Sequence, residues 1–453
     1  MARRFMRPLF LRSLTAREPS ASMVKIEPLA AFDCNGNATI SSTGDAKELR
    51  ENCKILRGDL SFTSNITETI NLDGLEEVHG SCDPKFDGPS CLGASDEVFN
   101  ITSSTLSFLG DGIYLWNFWG LGALNLLNLK AINSTIHLQG LPNLTHVDFT
   151  NLEILTGVFL DVSKLEEWKQ NDLKNYTGSK PPYVNLMDLG NLKSIYSLFA
   201  SPIDPRQRRP TWNERVDLWI SLHKLRQFTF GWSEIDKLSV RGGDLAVTFG
   251  ASSSEKLEAR EIFISEGVTK VARGPEMTNF TAESFWCQCG DLSSLEVPVD
   301  LVDNVFISGG KLESVRLPVA AENWKNVSLS VYTPGLLMNT TQDLDGNTIW
   351  HWPKEEIYSL FLAANITTDF FCSGIGNVDN SSSFIKGNTH VTGSFEISDH
   401  SGKLDCKIFD EIKDRLPSRY LCYSKNNSSA GTQSVSLLLL YAGLFQATMF
   451  LIL

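Results

Sequence analysis

The chain has few positive charges for its length. Its 453 residues include 40 lysines and arginines against 53 aspartates and glutamates, which gives a formal net charge of −13. A protein that binds nucleic acid needs a basic surface to contact the phosphates. The composition therefore predicts that nucleic acid is not among its partners.

Recognised catalytic motifs are also missing. The seven histidines lie outside any HExxH motif, and the chain contains neither a nucleophile elbow nor a P-loop. Gly120 and Gly122 lack the third glycine of a dinucleotide-binding loop. Cys287 and Cys289 have no second cysteine pair and no histidine at the spacing of a zinc site. We expect no catalytic residue, no cofactor and no metal.

The N-terminal segment, residues 1–33, lacks a clear secretory signal. Arg7 and Arg12 interrupt the apolar run that should follow its basic start. The absence of acidic residues before Glu18 is typical of a mitochondrial presequence, but that destination conflicts with the many N-glycosylation sequons of the chain. We interpret the segment as a misassigned start, with an atypical signal peptide as the alternative.

What the sequence does have is a recurring Leu-x-x-Leu-x-x-apolar motif. Its copies, two of them looser, begin at Leu72, Leu126, Leu141, Leu152, Leu189, Leu222, Ile235 and Leu312. Several end in an alternating run such as Val147-Asp148-Phe149, which has the period of a half-buried strand. A unit that recurs this often buries its apolar side only by stacking on its neighbours.

These repeats predict an all-β fold, a right-handed β-solenoid of irregular leucine-rich repeats. Leu126 and Leu152 lie 26 residues apart, whereas Leu189 and Leu222 lie 33 apart. That spacing is too uneven for a regular leucine-rich repeat of about 20–29 residues. A helical fold is the alternative, but glycine, asparagine and β-branched residues in the same windows oppose it.

The chain divides into five segments. Residues 201–215 are rich in proline and charge and predict an exposed loop between two solenoid halves. The segments are an N-terminal segment (1–33), a first half (34–200), the loop (201–215), a second half with a C-terminal cap (216–423), and a short stalk with a terminal signal (424–453).

Asn-x-Ser/Thr sequons are numerous, which is typical of the secretory pathway. We expect N-glycosylation at Asn37, Asn65, Asn100, Asn133, Asn143, Asn175, Asn279, Asn326, Asn339, Asn365 and Asn380, and further sequons begin at Asn426 and Asn427. The frequency of asparagine and threonine in solenoid turns accounts for some of them.

Nine cysteines fit the same oxidising compartment. Cys34 and Cys53 bracket the first coil, Cys82 and Cys91 enclose a short loop, and Cys406 and Cys422 lie at the C-terminal end, so these six are the expected disulfide cysteines. Cys287, Cys289 and Cys372 remain, so at least one thiol is free or pairs elsewhere.

The C-terminal tail has the pattern of a glycosylphosphatidylinositol (GPI) attachment signal. Small residues at 426–431 and a polar spacer precede an almost wholly apolar run from Val435 to Leu453. The expected attachment residue is Asn427, with Asn426 and Ser428 as alternatives. A true membrane span is the competing interpretation, but the run contains Gln446 and has no basic residue beyond it.

Two groups of residues are candidates for contacting a carbohydrate ligand. Trp116, Phe118 and Trp119 lie close together, and we expect core packing, with an exposed sugar platform as the alternative. Asp148, Glu153 and Asp161 would suit a polysaccharide-cleaving solenoid if they shared one face. An exposed row of aromatic side chains on one face would instead favour glycan binding.

The caps and first repeats carry a family resemblance. They comprise residues 34–40, Leu49 with Cys53, and residues 55–60, 69–77 and 99–106, with the apolar tail at the other end. This pattern resembles the fungal GPI-anchored cell-wall-organisation glycoproteins, whose ectodomain has repeats like the receptor L-domains of insulin and epidermal-growth-factor receptors. The chain departs from the family in its N-terminus, its loop at 201–215 and its short stalk.

The resemblance implies a role without catalysis. It implies a disulfide-capped, receptor-L-domain-like solenoid on the outer leaflet of the plasma membrane, held by a GPI lipid, with a structural role in cell-wall organisation and integrity. The implied partners are cell-wall polysaccharides or wall-building proteins. A membrane-tethered receptor for glycan or protein is the first alternative, and a polysaccharide-active enzyme is the second.

Overall fold

The computed structural model describes most of the chain between residues 33 and 425. The gaps are residues 64–65, 85–96, 172, 174, 177–182, 188, 190, 200–216, 223–224, 252–253, 343–347, 373–383, 386, 388 and 419. About half of the structure is strand and about a tenth is helix, arranged as a β-solenoid of about 14 parallel stacked coils. The all-β solenoid expected from the repeats is confirmed.

One parallel sheet of 16 strands, here called the long sheet, runs through the whole solenoid. Its strands, in spatial order, are β1 (Ala38–Ile40), β3 (Leu60–Phe62), β6 (Cys82–Pro84), β9 (Ile113–Trp116), β12 (Thr135–Gln139), β15 (Gly157–Asp161), β18 (Tyr183–Met187), β19 (Asp217–Leu222), β21 (Glu234–Gly242), β23 (Lys256–Ile264), β25 (Asn279–Gln288), β27 (Leu301–Ser308), β29 (Val327–Met338), β30 (Glu356–Ile366), β31 (His390–Asp399) and β32 (Tyr420–Ser424). Each strand pairs with the strand of the next coil.

Two further parallel sheets complete the first coils. The five-stranded sheet consists of β4 (Ile70–Asn71), β7 (Phe99–Ser103), β10 (Leu121–Leu126), β13 (His146–Phe149) and β16 (Glu167–Gln170). The six-stranded sheet consists of β2 (Ile55–Leu56), β5 (Glu77–Val78), β8 (Phe108–Leu109), β11 (Ala131–Ile132), β14 (Ile154–Leu155) and β17 (Asn175–Tyr176). A coil therefore visits three sheets in turn.

Later coils are simpler. A three-stranded sheet holds β20 (Gln227–Phe230), β22 (Leu245–Phe249) and β24 (Val268–Arg273), and a two-stranded sheet holds β26 (Ser294–Glu296) and β28 (Ser314–Arg316). The α-helices are α1 (Thr43–Asn52) and α2 (Thr368–Cys372), and 3-10 helices cover Tyr196–Leu198, Val319–Asn323 and Cys406–Arg415.

The Leu-x-x-Leu motif forms a corner of the coil. The N–H of Leu144 donates to the carbonyl of Leu141 at 3.2 Å, and the N–H of Leu129 donates to the carbonyl of Leu126 at 3.1 Å. This i to i+3 bond turns the chain while both leucines point inward. All four leucines are at most 2% exposed. The motif is therefore a turn with two buried anchors, which explains its recurrence at coil corners.

Inward side chains stack from coil to coil. Ile113 pairs in register with Ile136, Ile136 with Val158, and Val158 with Val184. All four are fully buried. Burying an aliphatic side chain of this size contributes about 1.5–3 kcal/mol, so these ladders are the main source of stability.

Both ends of the solenoid are covered. At the N-terminal end of the solenoid, α1 contacts β4, an edge strand of the five-stranded sheet, and buries Ala46 and Leu49. The Ser42 side chain caps this helix by accepting from the N–H of Asp45. A disulfide joins Cys34 to Cys53 across the same coil. Covering the open edge prevents pairing with another chain.

The last coil is held by a buried carboxylate. Asp399 has no exposed surface, and it accepts hydrogen bonds from the backbone N–H groups of Ile366, Ser401 and Leu404 and from the Ser424 hydroxyl. Burial alone raises the pKa of a carboxyl, but these hydrogen bonds outweigh it, so the pKa of Asp399 lies below its ordinary value. A disulfide between Cys406 and Cys422 closes the same end.

The long sheet continues across the boundary between the two sequence halves. Val184 of β18 pairs with Leu218 of β19, and Leu186 pairs with Ile220. The proline- and arginine-rich loop at 201–215 lies outside the described residues. The division of the solenoid into two halves therefore stays a prediction.

Within the described part of the chain, no helix is long and apolar enough to span a membrane.

Candidate functional site

The outer face of the long sheet carries rows of side chains set by strand register. Because side chains alternate along a strand and the strands are parallel, residues paired in register lie in one line across the sheet. Tyr114, His137 and Phe159 are register partners on β9, β12 and β15. Trp116 pairs with Gln139 in the next line. The fold therefore brings together aromatic residues that are about 20 residues apart in sequence.

The first aromatic group, the N-terminal patch, consists of Tyr114, Trp116, His137 and Phe159. His137 stacks on Phe159 with ring centroids 4.3 Å apart, and Trp116 approaches His137 edge-on at 6.5 Å. Trp116 remains 38% exposed. The stacked pair stabilises neighbouring strands, whereas the indole of Trp116 keeps surface available to a ligand.

The Trp116–Trp119 cluster divides between core and surface. Phe118 is buried and packs against Phe99 at 5.1 Å, so the expected core packing is confirmed for this residue. That expectation is wrong for Trp116 and Trp119, which are 38% and 42% exposed. The reason is local, because Asn117 adopts a positive φ of 54° and the chain turns there.

A second group, the central patch, lies on the middle of the same face. Phe263, Trp286 and Phe306 are register partners on β23, β25 and β27, and all three are partly exposed. The rings of Trp286 and Phe306 are 5.2 Å apart. In the adjacent line, Ser284 and Asn304 follow Lys237 and Glu261, whose side chains form an ion pair at 3.7 Å.

A third group, the tyrosine line, consists of Tyr332, Ala363, Ser398 and Tyr423. These residues are successive register partners on β29, β30, β31 and β32. Tyr332 is 43% exposed and Tyr423 is 45% exposed, whereas the two residues between them are small. Ala363 is only 2% exposed, so neighbouring side chains cover it. The line therefore exposes a tyrosine at each end and is closed at Ala363.

A line of hydroxyl groups lies two lines away from the tyrosine line. Ser359 and Ser394 are register partners whose hydroxyls lie 2.6 Å apart, and Ser328 precedes them in the same line. In the line between these two, Glu396 is the register partner of Phe361 and Leu421. Burial raises the pKa of the Glu396 carboxyl above its ordinary value.

The three carboxylates considered for hydrolysis do not share a face. Asp148 belongs to β13 of the five-stranded sheet, Glu153 directly precedes β14 of the six-stranded sheet, and Asp161 ends β15 of the long sheet. Asp148 accepts from the N–H of Thr150, and Asp161 accepts from Gln139. The alternative in which they line one face therefore does not hold, because the coil turns between them and places them on three different sheets.

The described sequons lie on the surface. Asn37, Asn133, Asn279, Asn326 and Asn339 are exposed, and Asn100, Asn143 and Asn365 are partly exposed. Asn279 begins β25, Asn326 precedes β29, and Asn339 follows β29, so these sites flank the outer face of the long sheet. Asn65, Asn380 and the side chain of Asn175 lie outside the described residues. Glycosylation itself stays a prediction.

The structure shows the pairing of six of the cysteines. The structure joins Cys34 to Cys53 and Cys406 to Cys422, and it also joins Cys287 to Cys289, a pair that the sequence left open. Cys91 lies outside the described residues, as do Asn426, Asn427 and Ser428 of the expected anchor site. No group of three or more potential metal ligands comes together in the part of the chain that the structure describes.

Sequence reasoning missed the central patch and the tyrosine line. The alternation of Ser328-Leu329-Ser330-Val331-Tyr332 already indicates an outward Tyr332. Which outward residues share a line depends on register, and register is set by coil lengths that vary along this chain.

The fold and face together define a β-solenoid protein whose outer surface carries aromatic and hydroxyl side chains beside charged ones such as Lys237 and Glu261. Comparison with protein-family models, with curated proteins and with solved structures gives no match.

Proposed function

We propose that this protein is a GPI-anchored cell-surface glycoprotein that organises the fungal cell wall by holding wall polysaccharide against the outer face of its long sheet. The role is structural and not catalytic. The observation that carries the proposal is the line of exposed aromatic and hydroxyl side chains on that face.

The chemistry of the face suits a carbohydrate. Aromatic rings offer apolar surface to the C–H faces of sugars, and serine and asparagine side chains exchange hydrogen bonds with sugar hydroxyls. The lines beside these rings hold Ser284, Asn304, Ser359 and Ser394, and they also hold the paired charges of Lys237 and Glu261. Isolated exposed apolar residues need no explanation, but an ordered row of them marks an interaction surface.

The placement of the sequons supports the same surface. Asn279, Asn326 and Asn339 lie at strand ends. Glycans attached there would surround the outer face of the long sheet and leave its centre open. The resemblance to wall-organisation glycoproteins and the GPI-like tail supply the location, the outer leaflet of the plasma membrane, from which such a face would reach wall polymers.

Location is tested by phospholipase release. The full chain is expressed behind a secretion signal of a fungal host, and membranes are treated with phosphatidylinositol-specific phospholipase C. We expect release of a species that becomes smaller after glycosidase treatment. A protein that stays in the membrane without glycans would contradict the anchor and the wall location.

Binding is tested with the full chain in detergent and insoluble wall polysaccharides. A variant carrying Trp116→Ala, Trp286→Ala and Tyr332→Ala removes one ring from each group. We expect retention to fall by about tenfold or more, because each lost ring removes on the order of 1 kcal/mol of contact. A triple variant of the five-stranded sheet, Asn125→Ala, His146→Ala and Lys169→Ala, is the matched control.

Equal retention of the two triple variants would show that the outer face of the long sheet is not the binding surface. If none of the polysaccharides retains the unchanged protein, the proposed function is wrong. A thermal melt of each variant checks that the fold is intact.

A further inference from the structure

We propose that an N-linked glycan on Asn143 packs its first sugar against the exposed indole of Trp119. The inference rests on one part of the proposed function, namely that the chain is a glycoprotein. It goes beyond that function because it gives one glycan a fixed place on the solenoid and gives an exposed tryptophan a partner.

Trp119 is an exposed ring at a corner of the coil. The N–H of Leu121 donates to the carbonyl of Phe118 at 3.2 Å, so residues 118–121 form the same turn as the Leu-x-x-Leu motif. Phe118 and Leu121 are its buried anchors, whereas Trp119 is 42% exposed. The turn does not require a tryptophan, since the corner of the next coil has Pro142 at the equivalent position. An indole left in water forgoes the stabilisation that burial of a large apolar ring provides.

Asn143 lies in the corner of the next coil, beside this turn. Its Nδ2 donates to the carbonyl of Trp119 at 2.9 Å, and its Oδ1 accepts from Nζ of Lys164 at 3.4 Å. Lys164 lies in the corner of the following coil, so the amide is oriented along the solenoid axis with its nitrogen toward Trp119. Asn143 is partly exposed. The atom to which an N-linked sugar is attached therefore faces the coil of Trp119.

The hydrogen bond to Trp119 is compatible with glycosylation. An asparagine amide has two N–H groups, and one of them is enough for the bond to the Trp119 carbonyl. The sugar replaces the other. Neighbouring coils are about 4.7–4.9 Å apart, which is close to the width of a pyranose ring, so the first sugar on Asn143 spans the step to the coil of Trp119. Its C–H face then lies against the apolar face of the indole.

An equivalent corner shows that the hydrogen bond does not require a sequon. Asn151 donates through its Nδ2 to the carbonyl of Leu127 at 2.8 Å, which repeats the bond between Asn143 and Trp119. Asn151 is not part of a sequon, because the residue two positions after it is glutamate. The sequon is thus an addition to the corner motif, and it occurs where the neighbouring side chain is a tryptophan.

The test measures the occupancy of Asn143 and the accessibility of Trp119. The full chain is expressed behind a secretion signal of a fungal host and purified in detergent. Glycopeptide mass spectrometry gives the occupancy, and hydroxyl-radical footprinting gives the oxidation rate of each side chain. We expect sugar on Asn143.

The variant Thr145→Val removes the sequon and keeps Asn143. We expect Trp119 to be oxidised about twofold faster or more in this variant, because the sugar no longer covers one of the two faces of its ring. Leu127 is the matched internal control, since it is also 42% exposed and lies beside Asn151. Its oxidation rate should be the same in both proteins, and a change there equal to that at Trp119 would overturn the inference.

Trimming with endoglycosidase H leaves one sugar on Asn143. Because the inference places the first sugar on the indole, we expect Trp119 to stay protected after trimming. Protection that disappears on trimming would show that outer sugars cover the ring and would overturn the inference.

Thermal unfolding tests the same contact independently of oxidation. Trp119→Ala and Thr145→Val each remove one partner of the contact. Together they are expected to lower the unfolding midpoint by less than the sum of the two separate shifts, because one contact is lost only once. Leu127→Ala combined with Thr145→Val is the control pair, and its shifts should add. Additive shifts for both pairs would contradict the contact.

The outcomes separate the inference from the proposed function. If no sequon of the chain carries a glycan, the proposed function is wrong and the inference is wrong with it. If other sequons are occupied and Asn143 is not, the inference alone is wrong. Equal oxidation of Trp119 with and without the sugar on Asn143 has the same consequence.

Discussion

The outer faces of the long sheet and of the five-stranded sheet are built by the same strand geometry and carry different chemistry. On the five-stranded sheet, outward positions hold polar side chains such as Lys169, which pairs with Glu167 at 3.2 Å, and His146, whose ring nitrogen lies 2.9 Å from the same carboxylate. On the long sheet, outward positions hold aromatic rings such as Trp286 and Tyr332 and several serines, beside an ion pair between Lys237 and Glu261 at 3.7 Å. Both sheets bury an equally apolar inner side.

The difference shows which features folding requires. Inward positions are constrained to be apolar because the coils stack through them. Outward positions tolerate any side chain that keeps the protein soluble, and protein surfaces usually carry a mixture of positive and negative side chains there. The long sheet departs from that pattern where aromatic side chains such as Phe263, Trp286 and Phe306 follow one another in register, and we base the proposed function on that row.

The largest expected effect tests whether the two faces share one core. Leu138→Ala in β12 of the long sheet and Leu124→Ala in β10 of the five-stranded sheet both remove a buried side chain. Each is expected to lower the free energy of unfolding by about 2–5 kcal/mol, measured by urea denaturation. A loss confined to one of them would show that the two sheets do not depend on a common core.

The second prediction concerns the end of the long sheet that bears Tyr423. Asp399→Asn removes a charged acceptor that five groups contact, including Ser401 and Ser424. We expect a loss of about 1–3 kcal/mol at pH 7.

The pH dependence follows from the lowered pKa of Asp399. Its stabilising effect is complete above the unfolded pKa of about 3.9 and is lost as the pH falls through the lower folded value. The stability difference between the unchanged protein and Asp399→Asn should therefore narrow below about pH 4. A difference that stays constant from pH 7 to pH 2 would contradict the role given to the carboxylate.

The third prediction uses salt to distinguish the faces. Glu167→Gln removes the partner of His146 and Lys169 on the five-stranded sheet, and the loss is expected to stay below about 1 kcal/mol and to vanish at high salt. Ser359→Ala removes the hydroxyl pair with Ser394, and a loss of about 0.5–1.5 kcal/mol should persist at high salt. If the two stability losses depend equally on salt, the two sheets do not differ in the electrostatic contribution of these side chains.

The smallest expected effect is at Glu396. Burial raises the pKa of this carboxyl, so holding its charge in the folded protein costs stability at neutral pH. Glu396→Gln removes the cost and should slightly raise the midpoint of urea unfolding at pH 7. Both forms are uncharged below the unfolded pKa, so the gain should disappear below about pH 4. If the stability gain of Glu396→Gln increases as the pH falls, the raised pKa given to Glu396 is contradicted.

The fold was predictable because its strongest constraint is local. Leu141 and Leu144, like Leu126 and Leu129, are separated by the three-residue step that one turn spans, so the corner can be recognised in a short window. The cysteines at the two ends were recognisable for a similar reason, since Cys34 and Cys406 lie close in sequence to their partners.

The site was predictable only in part. The sequence drew attention to Trp116 and Trp119. It could not show that these two side chains are exposed while Phe118 is buried, because that difference depends on the positive φ of Asn117. It also grouped Asp148 with Asp161, which the coil places on different sheets. Alternation gives the side of a strand and not the sheet to which the strand belongs.

By itself, the sequence determined the buried half of this protein: which side chains turn inward, where the coils bend and that the coils must stack. The periodicity of a strand and the three-residue turn act over distances that a local pattern records. Only the tertiary structure decided that Tyr332, Ala363, Ser398 and Tyr423 form one line. They are 31, 35 and 25 residues apart in succession, and their alignment depends on the length of every intervening loop.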